Sequence, residues 1–259
     1  MPAQTQRASG FSYGASARVG MPQFSVSDAD QAIFNTVARQ GLKHWVCGAD
    51  LYAAGQSVAD RASGTLWSRV GGDTDFGTDV IEGEPAITFT HGDTGSLVSG
   101  VDRLPGSFTV AIVYGQSTPQ VADNVNRLLF SSGPEVGNLL HSRWSGGTDT
   151  LMFHRNNGGD VVNATRGAGQ TFDLFSFDAD ANVATILDKN GAVSATATWS
   201  GDPPTGEPWQ IGGFNGEDIY SFAGLFGDGF ILDRALHLAE NARVLRDFTA
   251  AVRAKYAFA

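Results

Sequence analysis

Cysteine is nearly absent from this chain: Cys47 is the only one in 259 residues. That excludes a disulfide framework and any cysteine-rich zinc site. Lysine and glutamate are scarce as well, with 3 Lys against 14 Arg and 6 Glu against 21 Asp. Helical surfaces draw on Glu and Lys, whereas Asp serves turns and caps, so the charge sits where an all-β protein would put it. No stretch approaches the roughly 18 apolar residues of a membrane span. The N-terminus, MPAQTQRASGFSYGASARVG, lacks the continuous apolar segment of a signal peptide. Both absences point to a protein made in a cytoplasm, with no membrane insertion. A formal net charge of -10 makes nucleic acid and anionic membranes poor partners. The first 27 positions hold no acidic residue but carry Arg7 and Arg18, so that segment is +2 and the remainder -12, summing to -10.

What is present is glycine, 33 residues of it, with 42% hydrophobic and 10% aromatic content. The apolar content excludes disorder of the whole chain, and the glycine points to many turns. Length allows one large domain with an appendage. Residues 1–26 read as an extended arm with scattered rings Phe11, Tyr13 and Phe24. Ser27 reads as an N-cap, and Ile33, Phe34 and Val37 form a stripe that Gly41 stops, predicting a helix over 28–40.

From Lys43 the apolar period changes to two. Phe108–Tyr114, Arg127–Phe130, Leu151–Phe153, Phe172–Phe177, Val183–Leu187 and Ala192–Trp199 read as strands. Turn clusters such as Gly133-Pro134, Asn156-Asn157-Gly158-Gly159 and Gly201-Asp202-Pro203-Pro204 separate them. Lys189-Asn190-Gly191 predicts a hairpin with a type I′ turn. Leu236, Ala239, Ala242, Val244, Leu245, Phe248, Val252 and Tyr256 form the apolar face of a closing helix. Arg243, Arg246, Arg253 and Lys255 crowd its second half, as the helix dipole favours.

Several segments together resemble a family. Gln210-Ile211-Gly212-Gly213, then Phe222–Leu236 with Asp233-Arg234-Ala235-Leu236, then a helix, resembles the end of a concanavalin A-like (LamG-like) jelly-roll domain. Asp60-Arg61-Ala62-Ser63-Gly64 is similar to its D-x-S-G turn, Ile87-Thr88-Phe89 to its first core strand and Phe108–Val113 to its central strand. The pattern departs at Gly229, where a bulkier residue is usual and a bulge is expected. The resemblance covers roughly 43–256 and implies an all-β fold: a jelly-roll β-sandwich of two antiparallel sheets, with an N-terminal arm plus short helix and a C-terminal helix. The division expected is 1–42 for the arm and helix, and 43–259 for the sandwich.

Glycanases of this superfamily use two Glu, and Glu82 and Glu84 are the only close pair. Gly83 and Pro85 mark them as loop charges, and the family motif is missing, so no catalytic residue is assigned. Gly10-Phe11-Ser12-Tyr13-Gly14 matches a nucleophile-elbow pattern without the strand and helix it needs. Asp73, Asp75 and Asp79 with Glu84 partly echo a calcium loop, with Gly77 and Thr78 breaking the pattern; a Ca²⁺ site or an acidic surface loop are the two readings. The five His form no ligand pair in sequence, and Cys47 reads as a small buried hydrophobe.

Sugars are recognised by ring faces and well-placed polar groups. Arg143, Trp144, His154, Arg155, Asn156, Asn157 and Asn215 supply these in turn-rich segments and are the candidate glycan contacts. The functional expectation is a non-enzymatic virion structural or adhesion protein of decoration, spike or tail-fibre type. Its lectin-like domain would contact cell-surface glycans. Arg7, Phe11, Tyr13, Arg18 and Phe24 would dock on other virion subunits, within a homo-oligomer. A stand-alone carbohydrate-binding module or a glycan hydrolase are the alternatives.

Overall fold

The computed structural model describes residues 27–54, 57–71, 76–89, 95–116, 126–135, 138–145, 150–155, 160–165, 169–214, 222 and 224–258. Helix α1 spans Asp28–Val37. Its start follows from local chemistry. The Ser27 hydroxyl accepts the Asp30 N–H at 3.0 Å, and the Asp30 carboxylate accepts the Ser27 N–H at 3.4 Å. This capping box satisfies two otherwise orphaned donors. The helix stops before the expected position 40, because residues 38–41 form a turn that Gly41 leaves at φ 87°.

The strands in chain order are β1 Leu42–Cys47, β2 Ser57–Ala59, β3 Leu66–Val70, β4 Phe76–Ile81, β5 Glu84–Phe89, β6 Ser96–Asp102, β7 Phe108–Gln116 and β8 Asn126–Glu135. They continue as β9 Asn138–Ser145, β10 Thr150–Arg155, β11 Asp160–Thr165, β12 Gln170–Asp178, β13 Val183–Leu187, β14 Val193–Thr198, β15 Pro208–Ile211 and β16 Gly224–Leu232. Helix α2, Gly48–Ala54, follows β1, and α3, Ala242–Lys255, follows β16. One sheet runs β14-β13-β12-β7-β16-β5-β4, with β1 also pairing β16. The other runs β11-β10-β9-β8-β15-β6-β3-β2. Among the described residues every pairing is antiparallel, as a sandwich of this class requires.

Two apolar layers hold the molecule together. Between the sheets lie Trp67, Phe108, Phe130, Phe153, Phe175, Phe177 and Trp209. On the far side of the first sheet, Ala111, Val113, Phe172, Leu174 and Phe230 pack against Ile33 and Val37 of α1 and Phe248 and Val252 of α3. Strand β7 therefore buries both its faces, and its one polar side chain between Phe108 and Tyr114, Thr109, is buried as well. Each such side chain contributes about 1.5–3 kcal/mol of transfer free energy. We call the first sheet helix-side and the second open, since no described helix roofs the latter.

Further expectations change. Gly133-Pro134 lies inside β8, where the ladder with β9 slips between Ser132 and Glu135, so the residues make an irregularity and not a turn. The β13–β14 hairpin is present, but only Gly191 has positive φ (78°). Asp188 holds the loop instead: its carboxylate accepts Asn190 N–H at 2.8 Å and Ala192 N–H at 2.9 Å. Helix α2 has no counterpart among the elements expected from the sequence. Of the four cations assigned to the helix dipole, Lys255 is buried.

The bulge expected near Gly229 exists: β16 shifts register on β7 between Phe226 and Gly229. It needs glycine at 227, where a Cβ would lie 2.7 Å from Tyr256 Oη, and at 48, where one would strike the Gly227 carbonyl. The bulge turns Asp228 into a buried charge network. Lys255 Nζ lies 2.7 Å from Asp228 and 2.8 Å from Asp30. Arg61 lies 2.7 Å from Asp30 and binds Asp50 through Nε and Nη2. Trp45 sits between the two cations, 5.2 Å from Arg61 Cζ and 5.9 Å from Lys255 Nζ. Burial opposes ionisation of Asp30, but Lys255 and then Arg61 outweigh it and hold its carboxyl down to about 2. Burial likewise opposes the Lys255 charge, and Asp228 reverses that, raising the ammonium above its ordinary range. The Asp60 turn resembling D-x-S-G is also built as expected: its carboxylate accepts Ala62 N–H, Ser63 N–H and Ser63 Oγ–H, and meets His44 Nδ1 at 3.0 Å.

Candidate functional site

The two sheets differ in what covers them. Helices α1 and α3 seal the outer face of the helix-side sheet. The open sheet turns its Phe130, Phe153, Ile211, Leu97, Trp67 and Val58 inward. Alternation therefore sends their strand neighbours outward. Those neighbours align in one row across all eight strands. Val161 stands opposite His154, His154 opposite His141, and His141 opposite Ser131. The row continues through Gln210, Val98, Ser68 and Ser57.

The row is polar and deepest at its centre. Ser131 is 0% exposed, Gln210 1%, His141 2% and His154 7%. Ser57 and Ser68 at one end are exposed. The imidazoles of His141 and His154 stack in parallel, with centroids 4.7 Å apart and planes at 6°. His154 Nε2 lies 3.4 Å from Met152 Sδ. Ser131 Oγ donates to the Gly213 carbonyl at 2.9 Å. The result is a buried polar row of imidazole, hydroxyl and amide. No carboxylate stands in this row, so it lacks the two acids of glycoside hydrolysis.

The glycan candidates are divided by the strand they share. His154 lies in the row, while its neighbour Arg155 points to the sandwich edge. There Arg155 donates to Asp202 O at 2.7 Å, Asp160 Oδ2 at 2.6 Å and Ser200 Oγ at 2.6 Å. Those bonds fasten the β10–β11 hairpin to the segment after β14. In the ladder Arg143 stands opposite Met152 and Trp144 opposite Leu151. Asn156, Asn157 and Asn215 lie outside the described residues, as do Arg7, Phe11, Tyr13, Arg18 and Phe24.

Of the calcium candidates, Asp79 is exposed on β4 and Glu84 half-buried on β5, while Asp73 and Asp75 lie outside the described residues. Among the described residues no group of three or more His, Cys, Asp or Glu is arranged to hold a metal. Glu82 and Gly83 form the β4–β5 turn, both at positive φ, so Glu82 is a hairpin tip. The other histidines are structural: His44 holds Asp60, and His237 Nδ1 meets Ser176 Oγ at 2.8 Å. Burial lowers the His237 pKa. Cys47 is 2% exposed and burial pushes its thiol up. No described helix is long and apolar enough to cross a membrane.

The stacked pair was not foreseen, because no short spacing joins His141 to His154. The signal was Gly146-Gly147: a hairpin centred just after it sets 141 against 154.

No family model and no curated protein sequence matches the chain. Solved structures do. Domain 4 of AbnA, a GH43 extracellular arabinanase from Geobacillus stearothermophilus, in complex with arabinotriose, matches with a TM-score of 0.57 at 15% identity. That match covers 80% of this chain and 98% of the arabinanase domain. Trypanosoma rangeli sialidase in complex with sialic acid matches with a TM-score of 0.56 at 12% identity, over 83% of this chain and 33% of the sialidase. The chain thus spans nearly all of the former and about a third of the latter. At these identities the likeness is one of fold: two antiparallel sheets packed as a jelly-roll sandwich.

Proposed function

We propose that this chain is a non-catalytic glycan-binding domain, and that the outward row of the open sheet is the floor of its binding site. The observation that carries this reading is the contrast between the two outer faces. One is closed by helices, and the other carries a shielded polar row, His141, His154, Ser131 and Gln210, where the first carries apolar side chains. Polar groups held on a rigid sheet suit recognition of sugar hydroxyls. The likeness to an arabinanase domain held with arabinotriose supports the same class of ligand.

Titration of the full chain with arabino- and sialyl-oligosaccharides by calorimetry tests it. Saturable binding is expected to at least one, with no release of reducing ends. His141→Gln and His154→Gln should each weaken it while far-UV circular dichroism stays unchanged. Failure to bind across a broad glycan panel would overturn the reading, as would full affinity in both variants.

Residues 1–26 are proposed as a docking arm for other copies or other particle subunits, the virion role included. Their support is compositional: +2 against a remainder of -12. Deleting them should lower the assembly mass in light scattering, and an unchanged mass would refute the arm's role.

A further inference from the structure

Arg103 follows β6 and is 1% exposed. A buried guanidinium is costly unless carboxylates or several acceptors compensate it. Here the compensation is one-sided. Nη1 donates to the carbonyls of Pro203 at 3.1 Å and Pro204 at 2.7 Å. Cζ lies 4.8 Å from the centre of the Phe108 ring. Among the described residues, Nε and Nη2 have no acceptor. Burial drives the guanidinium down to about 10, with Asp202 alone opposing, so it is still a cation at pH 7.

The two unused donors are not scattered. Nε–H and Nη2–H share one edge of the planar guanidinium and point the same way. That edge is the fork that grips an anion from the side. A second orphaned donor borders the same rings. Trp199, 3% exposed, has no acceptor for its Nε1–H among the described residues. It packs on Phe153 and Phe177, the rings that also pack on Phe108. Backbone bonds close the segment over Arg103: its N–H donates to Glu207 O at 2.7 Å, and Gly206 N–H donates to Arg103 O at 3.1 Å.

We propose that the Nε/Nη2 edge of Arg103 binds a single halide-sized monoanion, enclosed by residues 199–207 at one end of the sandwich. The size follows from the burial. Arg103 is 1% exposed and the proline carbonyls hold Nη1, an enclosure that disfavours a sugar or a larger oxyanion. The site is separate from the open-sheet row and does not depend on glycan binding.

The test uses the wild-type full chain. A crystal grown in sodium bromide is expected to show an anomalous peak within hydrogen-bond reach of both Nε and Nη2. In solution, chloride or bromide should raise the melting temperature saturably. About 3–5 °C is expected at roughly ten times Kd, relative to sodium gluconate of equal ionic strength. Arg103→Met should lose that halide-specific increment, whatever its own starting temperature. An ordered water without a bromide peak, together with stability that follows ionic strength alone, would overturn the proposal. A formate response exceeding that of both halides would overturn the halide assignment and mark a carboxylate site instead.

Discussion

Arg61 and Arg103 are both arginines shielded from water, and their surroundings drive them in opposite directions. Arg61 faces two carboxylates, Asp30 and Asp50, and although burial opposes its charge, Asp50 above all raises its pKa. Arg103 faces two carbonyls and a ring, and burial lowers it to about 10. Burial alone therefore says little about a charge. What decides is whether the sequence brings full counter-charges to it. For Arg61 it brings them from two separated segments, Asp30 and Asp50; for Arg103 only Asp202 opposes burial, and too weakly to offset it.

The comparison breaks most visibly at Lys255. Lys255→Met leaves Asp228, 0% exposed, as an uncompensated buried anion. Loss of one partner from such a pair costs about 3–5 kcal/mol, to be read from urea midpoints. Adding Asp228→Leu should return a large part of that loss. A cost below about 1 kcal/mol for the single variant would show that the network contributes little.

Acid sharpens the same contrast. The Asp30 carboxyl is depressed from 3.8 to about 2 in the folded state. Its stabilising effect is thus complete above about pH 4 and lost as pH falls to about 2, an effect of about 2 kcal/mol. The stability gap between wild type and Asp30→Asn should narrow across that window. A gap constant from pH 7 to pH 2 would contradict the assignment. The smallest effect belongs to the surface. Lys43 and Asp233 pair at 2.8 Å but are 56% and 48% exposed, so Lys43→Ala should cost less than about 1 kcal/mol and lose even that in salt.

Much of the fold was legible because it is local. The Ser27 cap, the Asp60 turn and the Asp188–Ala192 hairpin each rest on residues within a few positions of one another. The charge network was not, because its members meet only through tertiary packing. Lys255, in the last turn of an amphipathic helix, reads as a solvated dipole partner until α1 and β16 are placed beside it. The site was half legible for a related reason. His154 and Arg155 are neighbours in sequence, yet the two-residue strand period puts them to different uses.

The Gly227–Asp228 bulge also has a consequence in time. Of the five charges it helps to gather, Asp30 is translated first and Lys255 last. While the chain is being made, Asp30, Asp50 and Arg61 await Asp228 and Lys255. The charge network is thus completed only when the final helix arrives and joins the beginning of the domain to its end.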